Sequence, residues 1–199
     1  ILPSKEWKEN RFKESWWRGD TISVGIGQGY WTATPIQIAN ATNILVNKGV
    51  NHPPHLAQVA KKEDDVTQIN NEEKPPVVLN NPDNWRIAID AMHNTVTKVT
   101  GTAHKAFKGV NYDPAGKTGT AQVVSIAQGE KYDAESLKER QRDNAIYVGF
   151  APYNNPQIVV SIVVENNGGG STVGAPIARQ LMDYYFAANP VELARNNTL

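Results

Sequence analysis

Two apolar runs, residues 145–151 and 158–164, flank the turn Tyr153-Asn-Asn-Pro156. Each run has strand length, and the link between them has room for a turn only. Strands joined so briefly must run antiparallel, because a parallel pair needs a crossover of a dozen residues or more. A third extended run, 115–125, comes before this hairpin, and Gly168-Gly-Gly170 breaks the chain after it. The spacing then predicts a last helix that buries Ile177, Leu181, Tyr184 and Tyr185 and ends near Asn189-Pro190. Residues 115–188 therefore predict at least three antiparallel strands and a C-terminal helix. Helices packed on such a sheet make an α+β fold.

The upstream part is less regular. Residues 1–20 carry Trp7, Trp16 and Trp17 among lysines and glutamates without a clean period, and predict an irregular approach segment lying on the domain. Residues 21–26 read as a short β-type run that ends in glycines. Thr34-Pro35 opens a helix: Thr34 suits the N-cap, Pro35 the first turn, and Gln37 the third position of a capping box. Ile38, Ala41, Ile44 and Leu45 give it one apolar face, and Gly49 stops it. Residues 50–80 contain Pro53-Pro54 and Pro75-Pro76 and predict a polar loop with one or two short strands. Asn81-Pro82 starts a second helix, with Trp85, Ile89, Met92, Val96 and Val99 at helical spacing and Gly101 at its end. Residues 128–143 alternate acids and bases, as a solvated stretch does.

Composition excludes several functions. Lys plus Arg and Asp plus Glu each number 20, so the net charge of the 199 residues is zero. A general nucleic-acid binder needs a cationic surface to displace counterions, so nucleic acid is not an expected partner. Cysteine is absent, which removes disulfides, thiolate metal sites and cysteine nucleophiles. His52, His55, His93 and His104 form no metal-ligand pattern. No apolar run approaches the ~20 residues that span a bilayer.

The chemistry concentrates in Ala115-Gly-Lys-Thr-Gly-Thr-Ala-Gln122. Side chains alternate along a strand, so Thr118 and Thr120 share a face and their hydroxyls can hold one carboxylate together. Lys117 points nominally the other way and reaches the same pocket only by curling round an edge strand. Gly119 removes a side chain where a ligand or neighbouring backbone must come close. An edge strand also offers main-chain groups to an extended peptide, and the Thr120 N–H to a developing oxyanion. Two rival readings fail on spacing. A dinucleotide loop starting at Gly25 needs glycine where Tyr30 stands, and a phosphate-binding P-loop ending in Gly116-Lys117-Thr118 needs glycine where Asn111 stands.

Four blocks in order resemble the transpeptidase domain of the class B penicillin-binding proteins. They are Gly27-Gln-Gly29 with Thr34-Pro35-Ile-Gln37, Gly101-Thr-Ala103, the Lys117-Thr-Gly119 string, and Phe150-Ala-Pro-Tyr-Asn-Asn-Pro156. The string from Ser23 to Gln37 is similar to the branch serving cell elongation in Gram-negative bacteria. The resemblance implies a serine β-lactamase-like fold and a peptidoglycan D,D-transpeptidase acting through a serine acyl-enzyme. The family's Ser-x-x-Lys and Ser-x-Asn motifs are missing from the chain. The chain is therefore expected to be the C-terminal part of the domain, 1–199, needing the N-terminal part as its partner and taking up no penicillin alone.

By the same resemblance, Lys117 supplies positive potential beside the absent serines, and Thr118 and Thr120 hold the substrate or β-lactam carboxylate. The Thr120 N–H is half of the oxyanion hole. Gly119 and Gln122 lie beside the stem peptide. No metal or organic cofactor is implied. The implied partners are peptidoglycan stem peptides, β-lactams, a glycan-polymerising membrane protein and elongation-complex scaffold proteins. The implied location is the periplasmic side of the inner membrane, anchored by a helix upstream of this chain. The alternative is a non-catalytic docking module on the same fold.

Overall fold

The computed structural model describes residues 1–56, 59–62, 65–68, 74–124 and 132–189. Its centre is a three-stranded antiparallel sheet in the order β3 (Ala115–Ala121), β4 (Asn144–Ala151), β5 (Ile158–Val164). The β4–β5 pair is the hairpin expected from the two apolar runs, with Ala145 opposite Val164 and Ala151 opposite Ile158. A second, two-stranded sheet joins β1 (Val59–Lys62) to β2 (Asp65–Gln68) within the polar connection.

The main core lies on the face of β4 that carries Tyr147. There Tyr147 packs with Phe107, Tyr112, Val96 and the C-terminal helix α5 (Ala175–Ala188). The buried stripe of α5 is Ala175, Ala178, Met182 and Phe186. This corrects the predicted face in part: Leu181 is 47% exposed and Tyr184 80%, while Ile177 is half-buried and Tyr185 packs against the core. Size alone does not mark the seam: Met182 and Phe186 lie on it, Leu181 and Tyr184 do not. Two alanines let the helix approach closely, and Gly174 meets the Tyr147 backbone so tightly that an added Cβ would sit 3.0 Å from its Cβ. One π-helical turn, Gly170–Gly174, leads from the glycine break into this helix.

Helix α3 (Pro35–Val46) begins as its sequence dictates. The Thr34 hydroxyl accepts from the Gln37 N–H and the Gln37 side chain accepts from the Thr34 N–H. Its seam differs from the expectation in one residue: Thr42 is buried and Ala41 exposed, the Thr42 hydroxyl donating to the Ile38 carbonyl at 2.9 Å. Helix α4 (Asp83–Thr97) buries Val96 and half-buries Trp85, Ile89 and Met92, but ends before Val99, which is 86% exposed.

The N-terminal expectations are overturned. Residues 1–20 are not irregular: α1 (Lys5–Phe12) is capped by Ser4, whose hydroxyl accepts from the Trp7 N–H at 3.1 Å, and stops at Lys13 in the left-handed region. The run 21–26 is helical through Gly25, within α2 (Arg18–Gly25), with Ile26 as its C-cap. Asp20 decides this, because its carboxylate accepts from the Trp17 N–H at 2.7 Å and fixes a first helical turn. Asp20 also accepts from Lys8 Nζ at 2.8 Å, tying α2 to α1. In the charged stretch, residues 128–131 lie outside the described residues. Asp143, expected to be solvated, is buried, and its N–H donates to the Tyr132 hydroxyl at 2.9 Å. No helix among the described residues is long and apolar enough to cross a membrane.

Candidate active site

Strand β3 leaves the core as it runs. Ala115 and Gly116 are buried, Lys117 and Thr120 exposed, Thr118 and Gly119 between. Gly116 is required because Tyr147, its ring wholly buried, lies against it; an added Cβ would overlap the Tyr147 hydroxyl. The entry to the strand is pinned from α4. His93 Nε2 lies 2.7 Å from Asp113 Oδ1, and the His93 ring stacks on Tyr153 with centroids 4.1 Å apart. The Tyr153 hydroxyl donates to Asp90, and that bond holds its pKa above the usual phenol value.

One flank of β3 pairs with β4, setting Thr118 opposite Tyr147 and Thr120 opposite Ala145. Among the described residues no strand pairs with the other flank. Thr118 and Thr120 therefore share the Tyr147 face, and Lys117 starts on the opposite one. Its side chain nevertheless curls back: Lys117 Nζ donates to the Thr118 carbonyl at 2.6 Å. Among the described ion pairs none takes Lys117, so its charge remains available to an anion.

The Thr118 hydroxyl lies 2.7 Å from that of Thr102. Thr102 sits in the turn after α4, held by Gly101 N–H to the Lys98 carbonyl at 2.8 Å and Ala103 N–H to the Thr95 carbonyl at 3.2 Å. On the other side of the cluster, Gln28 Nε2 donates to the Thr120 carbonyl at 2.8 Å. The flanking Gly27 and Gly29 have φ of 77° and 71°, a loop conformation that L side chains resist. Gly119 makes room for backbone: the Gly170 turn presses on it so closely that a side chain at Gly170 would overlap the Gly119 and Ile146 carbonyls.

The structure thus brings Lys117, Thr118, Gly119 and Thr120 together. Gln122 is left out; β3 ends at Ala121, short of the predicted 125, and Gln122 follows it exposed. Thr102 joins the cluster without having been assigned to it. For residues 27–29 the resemblance implies backbone near the cleft, against simple packing before the Thr34 helix, but not the Gln28 side-chain contact. The signal for both was a polar residue set against glycine in a short block, Gly101-Thr102 and Gly27-Gln28-Gly29. Chemically, a cation, two hydroxyls on one face and an unpaired main-chain edge suit an extended ligand ending in a carboxylate.

Residues 4–183 match the penicillin binding protein transpeptidase domain, and the chain belongs to that family. It is 47% identical over 189 residues to the peptidoglycan D,D-transpeptidase MrdA of Haemophilus influenzae, covering 92% of this chain and 28% of the relative. It is 43% identical to MrdA of Escherichia coli K12 over 99% of this chain and 30% of the relative. The chain thus spans about three tenths of the length of these curated relatives. Its fold superposes on Pseudomonas aeruginosa PBP2, solved in complex with WCK 5153. The TM-score is 0.76 at 40% identity, over 94% of this chain and 38% of that one. Helicobacter pylori PBP2, solved as a complex with MreC, superposes with a TM-score of 0.76 at 28% identity, over 95% of this chain and 31% of that one.

Proposed function

We propose that this chain forms the β3 wall of a peptidoglycan D,D-transpeptidase of the elongation type. The observation that carries the reading is the edge of β3 that no described strand covers, where Lys117 Nζ turns onto the Thr118 carbonyl of its own strand. The Thr118 and Thr120 hydroxyls hold the carboxylate of a D-alanyl-D-alanine terminus. Lys117 supplies the positive potential, and the Thr120 N–H receives charge developing on the scissile carbonyl oxygen. A serine hydroxyl from outside these 199 residues adds to the penultimate D-Ala carbonyl, losing its proton to a base. The tetrahedral adduct then expels the terminal D-Ala as the amine. The acyl group passes to an amine on a neighbouring strand, and the serine is regenerated. β-Lactams acylate the same serine by ring opening. Gln122, beyond the strand end, lies beside the rest of the stem peptide.

The same reading places the working protein on the periplasmic face of the inner membrane, anchored outside this chain, beside a glycan-polymerising protein. The PBP2–MreC complex from Helicobacter pylori supports a further partner, a scaffold protein of the elongation complex. Lys117→Ala in the full-length protein tests the reading. Acylation by a fluorescent penicillin is expected to slow by roughly 10²–10³, the scale of losing one preorganised transition-state contact. A near-normal rate would remove Lys117 from the site and favour the docking module.

A further inference from the structure

The Gln28 contact has no role in the chemistry above, yet it occupies a position that chemistry needs. Main-chain groups two residues apart point to the same side of a strand. The Thr118 and Thr120 carbonyls are such a pair, and both accept from side chains, Lys117 Nζ at 2.6 Å and Gln28 Nε2 at 2.8 Å. That is the pattern of a flank the β4 ladder leaves unpaired. An extended peptide added to this flank would place its own N–H groups on these carbonyls. The donor now on Thr120 is a carboxamide N–H, the same chemical group as a peptide N–H.

We infer that Gln28 is an internal stand-in for a backbone amide of the substrate, and thereby a specificity-determining residue. It holds the Thr120 acceptor until an extended ligand with a correctly placed N–H replaces it. Three observations make the contact a built one. It spans 92 residues of sequence. Its loop is fixed by two glycines at positive φ and by the Gln28 N–H donating to the Ser23 carbonyl at 2.8 Å. Gln28 is half-buried while Thr120 remains exposed, so a ligand can reach the carbonyl as the carboxamide leaves it. Ligands with a matching amide exchange one N–H for another at this carbonyl. Ligands without one either leave Gln28 in place or strand the carbonyl. The cation Lys117 cannot be exchanged in this way, because it also carries the positive potential for the carboxylate.

The inference rests on the transpeptidase reading, and the test keeps the two apart. In the full-length protein, acylation rate constants are measured for two β-lactams, one bearing an acylamino side chain and one without it. Gln28→Met keeps the side-chain length but cannot donate, and Gln28→Ala removes the group. In both variants the ratio of the acylamino ligand's rate constant to the other's is expected to rise about two- to tenfold, the span of one exchanged hydrogen bond. An unchanged ratio, or one that falls, overturns the inference. A general disturbance of the loop lowers both rate constants together, leaves the ratio where it was, and so counts against it. Lys117→Ala, measured alongside, reports on the transpeptidase reading separately: it slows both ligands whatever Gln28 does.

Discussion

Strand β4 buries Ala145, Tyr147 and all of Gly149, Phe150 and Ala151, whereas helices α1 and α2 together bury one side chain, Lys8. The sheet and α5 are held by apolar area removed from water, a force without direction that acts over every residue of a periodic pattern. The N-terminal helices are held by directional contacts. Lys8 reaches Asp20, and Trp7, Phe12 and Tyr30 cluster with ring centroids 5.3–5.5 Å apart. The difference bears on the site, which straddles the two. Lys117, Thr118 and Thr120 ride on the packed sheet, and Gln28 comes from the loop after α2. The proposed chemistry thus sits on the packed part, and the group proposed to exchange with ligand sits on the part held by fewer, separable bonds.

The sharpest way to break the contrast is Gly116→Ala. The new methyl would overlap the Tyr147 hydroxyl, and Tyr147 has no exposed direction in which to move. Overpacking of this kind is expected to cost about 3 kcal/mol in chemical denaturation. Tyr147→Phe removes the oxygen that is struck first, so the double variant should lose less than the two single losses added. Strict additivity would mean that β3 yields instead of Tyr147, and that the packed half is softer than its burial implies. No glycine of α2 should behave this way: an added Cβ at Gly19 or Gly25 meets nothing within 4 Å.

A smaller effect separates the two faces of α5. Met182→Ala should cost about 2–5 kcal/mol, the range for a buried methionine, and Leu181→Ala well under half of that. The reverse order would restore the face first expected from the sequence. That expectation took Ile177, Leu181, Tyr184 and Tyr185 as the face, whereas the seam runs through Ala175, Ala178, Met182 and Phe186, with Tyr185 only at its edge. The same physics explains what was legible elsewhere. The β4–β5 hairpin and the Thr34 cap are local, and their residues state them outright. The Lys117-Thr-Gly-Thr string was legible as a candidate site because alternation along one strand fixes who shares a face. Gln28 was not, because its partner lies 92 residues away and no pattern within the loop names Thr120. Residues 21–26 misled because β-branched side chains prefer strands only when a partner strand exists, and here the Asp20 carboxylate had already started a helix.

The subtlest contrast is in pH. The Lys8 side chain is 2% exposed, and its bond to Asp20 holds the Asp20 carboxyl below the usual carboxylate range, helped by the Trp17 N–H. A lowered folded-state pKa means that the acid's contribution to stability is complete above the unfolded value of about 3.9 and fades as pH falls through the folded one. The same bond raises Lys8 above its ordinary 10.5, so its contribution is complete below that value and fades as pH rises through the raised one. The N-terminal helices should therefore be tight between about pH 4 and pH 10 and loosen outside that window. Tyr147, whose phenol is pushed upward by burial, shares the alkaline limb, because the unfolded chain ionises it at about 10 while the fold holds it neutral; the acid limb is what separates the two regions. Amide exchange resolved by segment is the measurement. Protection of 5–25 should fall on acidification before that of β4, and Asp20→Asn should weaken those helices at neutral pH while flattening their acid response. If β4 loosens first, or if Asp20→Asn leaves the acid response of 5–25 intact, the ion pair is not what holds α1 to α2, and the junction that presents Gln28 to β3 draws its order from the aromatic cluster instead.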